Sequence, residues 1–98
     1  MARYDAFAGA AEGFLLDVQT DLLDHLRTRV VVPLLPSATT PAPIRKLNPV
    51  FEIGGRKLVL ATQLIATVPV AGLGESRFSL AAHREQIEGA LEMLFQGF

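Results

Sequence analysis

The longest uninterrupted apolar stretch, Val30-Val31-Val32-Pro33-Leu34-Leu35, most limits what this chain can fold into. Its length is that of a strand, far short of the ~18 residues of a membrane span. Consecutive β-branched residues favour extended backbone, and apolar residues at both parities of the pleat ask for cover on both faces. A central, doubly buried strand is therefore expected over Val30 to Leu35. Pro33 lacks the N–H that an interior ladder needs, so it fits only at a bulge or an edge.

Shorter strands are read around this one. Tyr4 to Phe7 is aromatic and short, and the small residues Ala8 to Gly13 have the composition of a hairpin loop. Phe14 to Gln19 alternates, with Phe14, Leu16 and Val18 on one face. Thr20 to Asp24 starts with turn residues and suits one helical turn. Pro36 to Pro43 holds three prolines and three hydroxyl residues, the composition of a mobile surface loop. Pro49 to Ile53 and Arg56 to Thr62 flank Gly54-Gly55, a strong hairpin signal because both central positions of a type I′ turn need positive φ. Ala66 to Val70 is one more strand, and Gly72 to Glu75 a turn. The architecture is mainly antiparallel β, a small and partly open barrel, with one C-terminal helix that Ser79 is placed to cap.

That helix, His83 to Phe95, carries apolar residues at 87, 90, 91, 94 and 95, a single helical stripe. Gly97 suits the stop, since glycine enters the left-handed region freely. The chain stays apolar to its last residue, Phe98, where termini usually turn polar. Phe95 and Phe98 then either fold back onto the core or project as a contact finger, and the pattern favours neither. Glu92 and Gln96 share a different helix face from 91, 94, 95 and 98, and both are expected in solvent.

Ninety-eight residues make one domain, 1–98. Half the residues are apolar and the mean hydropathy is +0.34, which favours covering surface by self-association, so a homodimer is expected. Nine basic and ten acidic residues lie scattered, which argues against a dedicated nucleic-acid binder. Cysteine is absent, so neither disulfides nor thiol chemistry arise. Met1 to Asp5 lacks a signal-peptide apolar region, and cytoplasmic location is the default.

Little points to catalysis. His25 and His83 have no second ligand at metal spacing, so no metal site is expected. Ser37, Ser76 and Ser79 sit in loops or at a cap, without a nucleophile elbow. Gly72-x-Gly74 reads better as a turn than as a phosphate loop. Asp21 and Asp24 suit a turn and a helix start better than paired carboxylate chemistry. Between them, Leu22-Leu23 is a candidate exposed apolar patch, although for either leucine alone inward packing is the commoner outcome. Arg45 and Lys46 are expected in solvent.

Several collinear segments together resemble the CcdB family, the toxins of ccd toxin–antitoxin modules. Leu15-Leu16-Asp17-Val18-Gln19-Thr20-Asp21-Leu22-Leu23-Asp24 is similar to that family's second strand and following turn. Val31-Val32-Pro33-Leu34 resembles its V-I-P-L strand. Asn48-Pro49-Val50-Phe51-Glu52-Ile53-Gly54 resembles Y-P-V-V-H-I-G, and Ala66-Thr67-Val68-Pro69-Val70 resembles A-S-V-P-V. His83-Arg84-Glu85 and Ala90 to Phe98 resemble the helix and tail. The resemblance implies an SH3-like antiparallel β-barrel with a small extra sheet, a homodimer, no enzymatic activity and no cofactor. It implies binding to the A subunit of DNA gyrase, trapping of the cleaved-DNA complex, and release by a cognate CcdA-like antitoxin through a disordered segment. Toxin and antitoxin together would repress their operon, the antitoxin supplying the DNA contacts; such modules serve plasmid maintenance, and no membrane is involved.

Carried over by position, the gyrase-binding residues are Leu22, Leu23, Glu92, Phe95, Gln96, Gly97 and Phe98. Leucines replace isoleucines at 22 and 23, Glu92 replaces Asn, and Phe98 replaces Ile. Gln96 stands where the family has a Trp that stacks on a gyrase Arg, a contact of ~1–2 kcal/mol of a kind common in hot spots. The antitoxin footprint carries over to Ala8, Gly9, Ala10, Ala11 and Glu12, and to Ser37, Ala38, Thr39, Thr40, Pro41, Ala42 and Pro43. Two other readings stand beside this one. The first is a CcdB-fold homologue that has lost gyrase poisoning and serves as an antitoxin-bound regulatory protein. The second is an unrelated small barrel that binds a peptide or ligand.

Overall fold

A computed structural model describes residues 2–10 and 12–98. The expectations for Met1, and for Ala11 in the first loop and the antitoxin footprint, lie outside the described residues. The central strand is β3, Thr28–Pro36, longer at both ends than the apolar run that announced it. Along one side it pairs antiparallel with β2, Phe14–Asp17, in a register that sets Leu16 opposite Val32. Its other side is shared. The first half, Thr28 to Val31, pairs with β6, Ala66–Pro69, and the second half, Leu34 to Pro36, pairs with β5, Arg56–Leu60.

This division accommodates Pro33. It sits where β6 gives way to β5, so neither register asks it for an N–H, while its carbonyl accepts from the Ala61 N–H at 2.8 Å. Proline is thus tolerated in a central strand because that strand changes partner at the proline.

The remaining strands extend the sheet: β4, Val50–Ile53, beside β5; β1, Asp5–Ala8, beside β2; and β7, Ser76–Ser79, beside β1. The order is β4-β5-β3-β2-β1-β7, with β6 off this path on β3. The curled antiparallel half-barrel agrees with the fold expected from the sequence. The β4–β5 hairpin is hydrogen-bonded onto the second half of β3, so among the described residues all seven strands belong to one sheet rather than to a barrel with a separate small sheet. Its turn is made by Gly54 and Gly55 at φ +58° and +80°, the positive values that a type I′ turn requires.

Helix α1, Arg84–Gln96, closes the open side. Ile87 and Ala90 are buried among Leu16, Val32, Leu34, Phe51, Leu58, Leu60 and Leu80, with Leu91 packed at the margin. Gly97 ends the helix at φ +80°, its N–H donating to the Met93 carbonyl at 3.0 Å.

Three readings need correction. The stretch after Gly74 is a strand, β7, and Ser79 belongs to it, opposite Asp5. The Ser79 hydroxyl accepts from the Ala81 N–H at 3.1 Å, at the start of the short 3-10 turn Ala81–His83, while the position that caps the helix is His83, which makes no side-chain cap bond. A four-residue strand with one apolar side chain, Phe78, offers no alternation to read. What it has is tertiary: pairing to β1 and an edge-to-face contact with Phe14 at 4.9 Å. Thr62, expected at the end of β5, lies in the turn Thr62–Leu64, where its hydroxyl donates to the Leu47 carbonyl at 2.5 Å. Val70, expected in β6, likewise opens the turn Val70–Gly72.

Candidate protein-binding surface

The turn after β2 presents its leucines outward. Thr20 starts it, its hydroxyl accepting from the Leu22 N–H at 3.3 Å, and Asp21–Leu23 form one 3-10 turn. Leu22 is 85% exposed and Leu23 is exposed as well, so inward packing is overturned for both. Leu26, which the sequence reading passed over, is also exposed, and its N–H donates to the Leu23 carbonyl at 3.2 Å. Three leucines of one loop therefore face solvent, and only their spacing in the sequence could have drawn attention to the third.

The end of α1 makes the second part. Phe95 is 70% and Phe98 66% exposed, which decides between back-folding and projection in favour of projection. Glu92, Gln96 and Gly97 are exposed too, and Met93 and Leu94 are half-buried. The stripe that anchors the helix therefore fades from fully buried at Ile87 to solvent-facing at Phe95.

Arg3 and Tyr4 tie the two parts together. The Arg3 N–H donates to Asp21 Oδ1 at 2.8 Å, and its Nε donates to the Val18 carbonyl at 3.1 Å. Its guanidinium lies 3.9 Å from Glu88 Oε2, which accepts from the Tyr4 hydroxyl at 2.6 Å. Asp21 in the leucine turn and Glu88 in the helix thus stand one arginine apart. Glu92 and Gln96 follow Glu88 on the same helix face at i+4 and i+8, each step about 6 Å along the axis.

The electrostatics of this junction follow from burial. The Tyr4 hydroxyl is pushed up from 10 to about 12, first by burial and then by its bond to Glu88. The same bond is the main cause holding Glu88 below its ordinary value. Tyr4 takes φ +74°, with its N–H on the Asp17 carbonyl at 2.6 Å and its carbonyl accepting from the Leu80 N–H at 2.9 Å. Such backbone is rare outside glycine and persists only where neighbours over-determine it.

Beneath the leucine turn lies a feature that the sequence reading missed, a buried ion pair between Arg29 and Asp17 at 2.7 Å. Burial pushes the Asp17 carboxyl up, against the hydrogen bonds from Arg29 and from the Gln19 N–H that favour its charge. An Asp and an Arg twelve positions apart in separate strands give no local signal; they meet because β2 and β3 pair.

The residues read as an antitoxin footprint have different surroundings. Ala8, Ala10 and Glu12 are exposed and Gly9 is half-buried; Arg56 of the β4–β5 hairpin donates to the Glu12 carbonyl at 2.6 Å. Ser37, Ala38 and Thr39 form an exposed 3-10 turn. Thr40, half-buried, and the exposed Pro41 and Ala42 edge an apolar cleft of about 310 Å³ floored by Leu35, Val59 and Ala61; Pro43 is exposed beside it. Arg45 and Lys46 are exposed, as expected. His83 is exposed with its ring tilted against Phe51 at 5.1 Å. Among the described residues no group of His, Cys, Asp and Glu could hold a metal ion, and no helix is long and apolar enough to cross a membrane.

A curled antiparallel half-barrel closed by one helix, with apolar side chains presented at a turn and at the chain end, defines a small mainly-β protein with an exposed apolar surface. The family model described as CcdB protein matches residues 3–97, and the chain belongs to the CcdB family.

Proposed function

We propose that this protein, acting as one domain over 1–98, is a toxin that binds the A subunit of DNA gyrase. The contacting residues are Leu22, Leu23, Glu92, Phe95, Gln96, Gly97 and Phe98. It works as a cytoplasmic homodimer, without enzymatic activity of its own, and traps gyrase on cleaved DNA. A cognate CcdA-like antitoxin neutralises it over Ala8 to Glu12 and Ser37 to Pro43, and the complex of the two represses their operon. The observation that supports this best is the exposure of Leu22, Phe95 and Phe98 on two elements tied through Arg3 and Tyr4. Large apolar side chains held in solvent by a rigid frame are the usual form of a protein contact.

The decisive experiment measures binding to purified gyrase A subunit, together with accumulation of cleaved DNA when gyrase holoenzyme is added. Binding with accumulation supports poisoning. Absence of both refutes it. Binding without accumulation supports the second reading, a family member that has lost poisoning and serves with its antitoxin in regulation. Gln96 favours that second reading, because an exposed amide at the end of the helix has no ring to stack on a cation.

A further inference from the structure

The leucine turn is fastened from below by a polar network in which every link is directional. Arg29, 1% exposed, donates from Nε to Asp17 Oδ2 at 2.8 Å, and its Nη2 lies 2.7 Å from the same oxygen. Nη2 also donates to the Gln19 main-chain carbonyl at 3.3 Å and stands 3.8 Å from Asp21 Oδ1. The other Asp17 oxygen accepts from the Gln19 N–H at 3.0 Å. The Gln19 side chain then spans the loop: its Oε1 accepts from the Val30 N–H at 3.1 Å, and its Nε2 donates to the Leu23 carbonyl at 3.1 Å. The Leu23 carbonyl thus takes two donors, Gln19 Nε2 and the Leu26 N–H.

A buried ion pair adds little net stability, because desolvation offsets the attraction; its distinctive contribution is a fixed geometry. This pair even leaves Arg29 Nη1 buried with no partner among the described residues, poor satisfaction for a group serving stability alone. All its remaining bonds converge on the segment that turns into Leu22-Leu23.

We propose that Arg29, Asp17 and Gln19 are positioning residues, which hold the turn carrying Leu22, Leu23 and Leu26 in one pose and thereby set the affinity for the partner. This rests on reading that turn as a gyrase contact. None of the three touches the partner; they act through the backbone carbonyls of Gln19 and Leu23.

Two variants of the full chain test it. Gln19→Glu keeps an acceptor for the Val30 N–H and sets a carboxylate against the Leu23 carbonyl. Arg29→Lys keeps a charge for Asp17, but its single nitrogen cannot reproduce the fork in which Nε and Nη2 hold Asp17 while Nη2 also reaches the Gln19 carbonyl. Backbone order parameters by NMR are expected near 0.85, that of rigid backbone, for Leu22 to Leu26 in the unaltered protein, and to fall toward about 0.6 in Gln19→Glu. Those of Leu34, Leu58 and Leu60 should not change. Affinity for purified gyrase A subunit should weaken roughly tenfold, the effect of losing one directional hydrogen bond, with the smaller loss in Arg29→Lys. An unchanged turn, or loosening spread evenly through the sheet, overturns the proposal. So does a loosened turn with unchanged affinity. If the unaltered protein does not bind gyrase A, the gyrase reading fails, and the order parameters alone still decide whether the network holds the turn.

Discussion

Tyr4 is the chain's one tyrosine, and tryptophan is absent, so near-ultraviolet absorbance of the phenolate reports a single known group in the intact protein. With its hydroxyl on Glu88 Oε2 at 2.6 Å and its ring buried, Tyr4 ionises near 12 when folded, against 10 in an unfolded chain. Between those values the unfolded state has released a proton that the folded state keeps. Stability is therefore fully present below pH 10 and is lost as pH climbs from 10 through 12. At ~1.4 kcal/mol per pKa unit the difference corresponds to roughly 2–3 kcal/mol. The Glu88 side chain is more than a third exposed, so water screens part of this and about 1–2 kcal/mol is the working figure. Tyr4→Phe keeps the ring and removes the bond. It should lower stability at neutral pH by about 1–2 kcal/mol, or roughly 5–10 °C in Tm for a domain of this size, and flatten the decline in Tm between pH 10 and 12. Glu88→Gln should bring the phenolate midpoint down only part of the way, because burial is the larger cause. A midpoint near 10 in the folded wild type, or equal alkaline slopes for wild type and Tyr4→Phe, would refute the reasoning.

Glu88 itself is held below its ordinary value mainly by that bond, so its contribution is present above that value and fades as pH falls through the lowered one; Tyr4→Phe should reduce the loss of Tm on acidification. Gly13→Ala would place a Cβ 2.5 Å from the Leu34 carbonyl oxygen, and a drop of about 1–3 kcal/mol in urea unfolding is expected; an unchanged midpoint would show that the first loop gives way freely. Phe98→Ser removes a ring that stands mostly in solvent, so stability should move by less than about 0.5 kcal/mol while gyrase A affinity falls at least tenfold. Equal loss of both would mean that the ring belongs to the core. Gln96→Trp should tighten binding roughly tenfold through stacking on a cation; unchanged affinity would mean that position 96 faces no cationic group.

Much of the fold is legible because it is written in local chemistry. Gly54-Gly55 and Gly97 occupy the positive φ that their positions implied, and the periodic apolar residues from Ile87 onward mark the helix face. β7 escaped notice for the opposite reason: Ser-Arg-Phe-Ser has no pattern of its own and is a strand only because β1 lies beside it. The candidate surface divides in the same way. Leu22-Leu23 between two aspartates stood out as a sequence oddity, whereas Leu26 joined them only once the turn was seen to carry it outward.

The sequence by itself determined the class of fold, the hairpin, the helix with its stop, and the segments that resemble the CcdB family. These follow from propensities and periods that act over a few residues. Only the tertiary structure decided how Pro33 survives in a central strand, that Arg29 meets Asp17, that Arg3 and Tyr4 tie the leucine turn to the helix, and that Phe95 and Phe98 stand in solvent. Each of those depends on which strands and helix come together, and contacts between residues distant in the chain leave no local trace before the chain has folded.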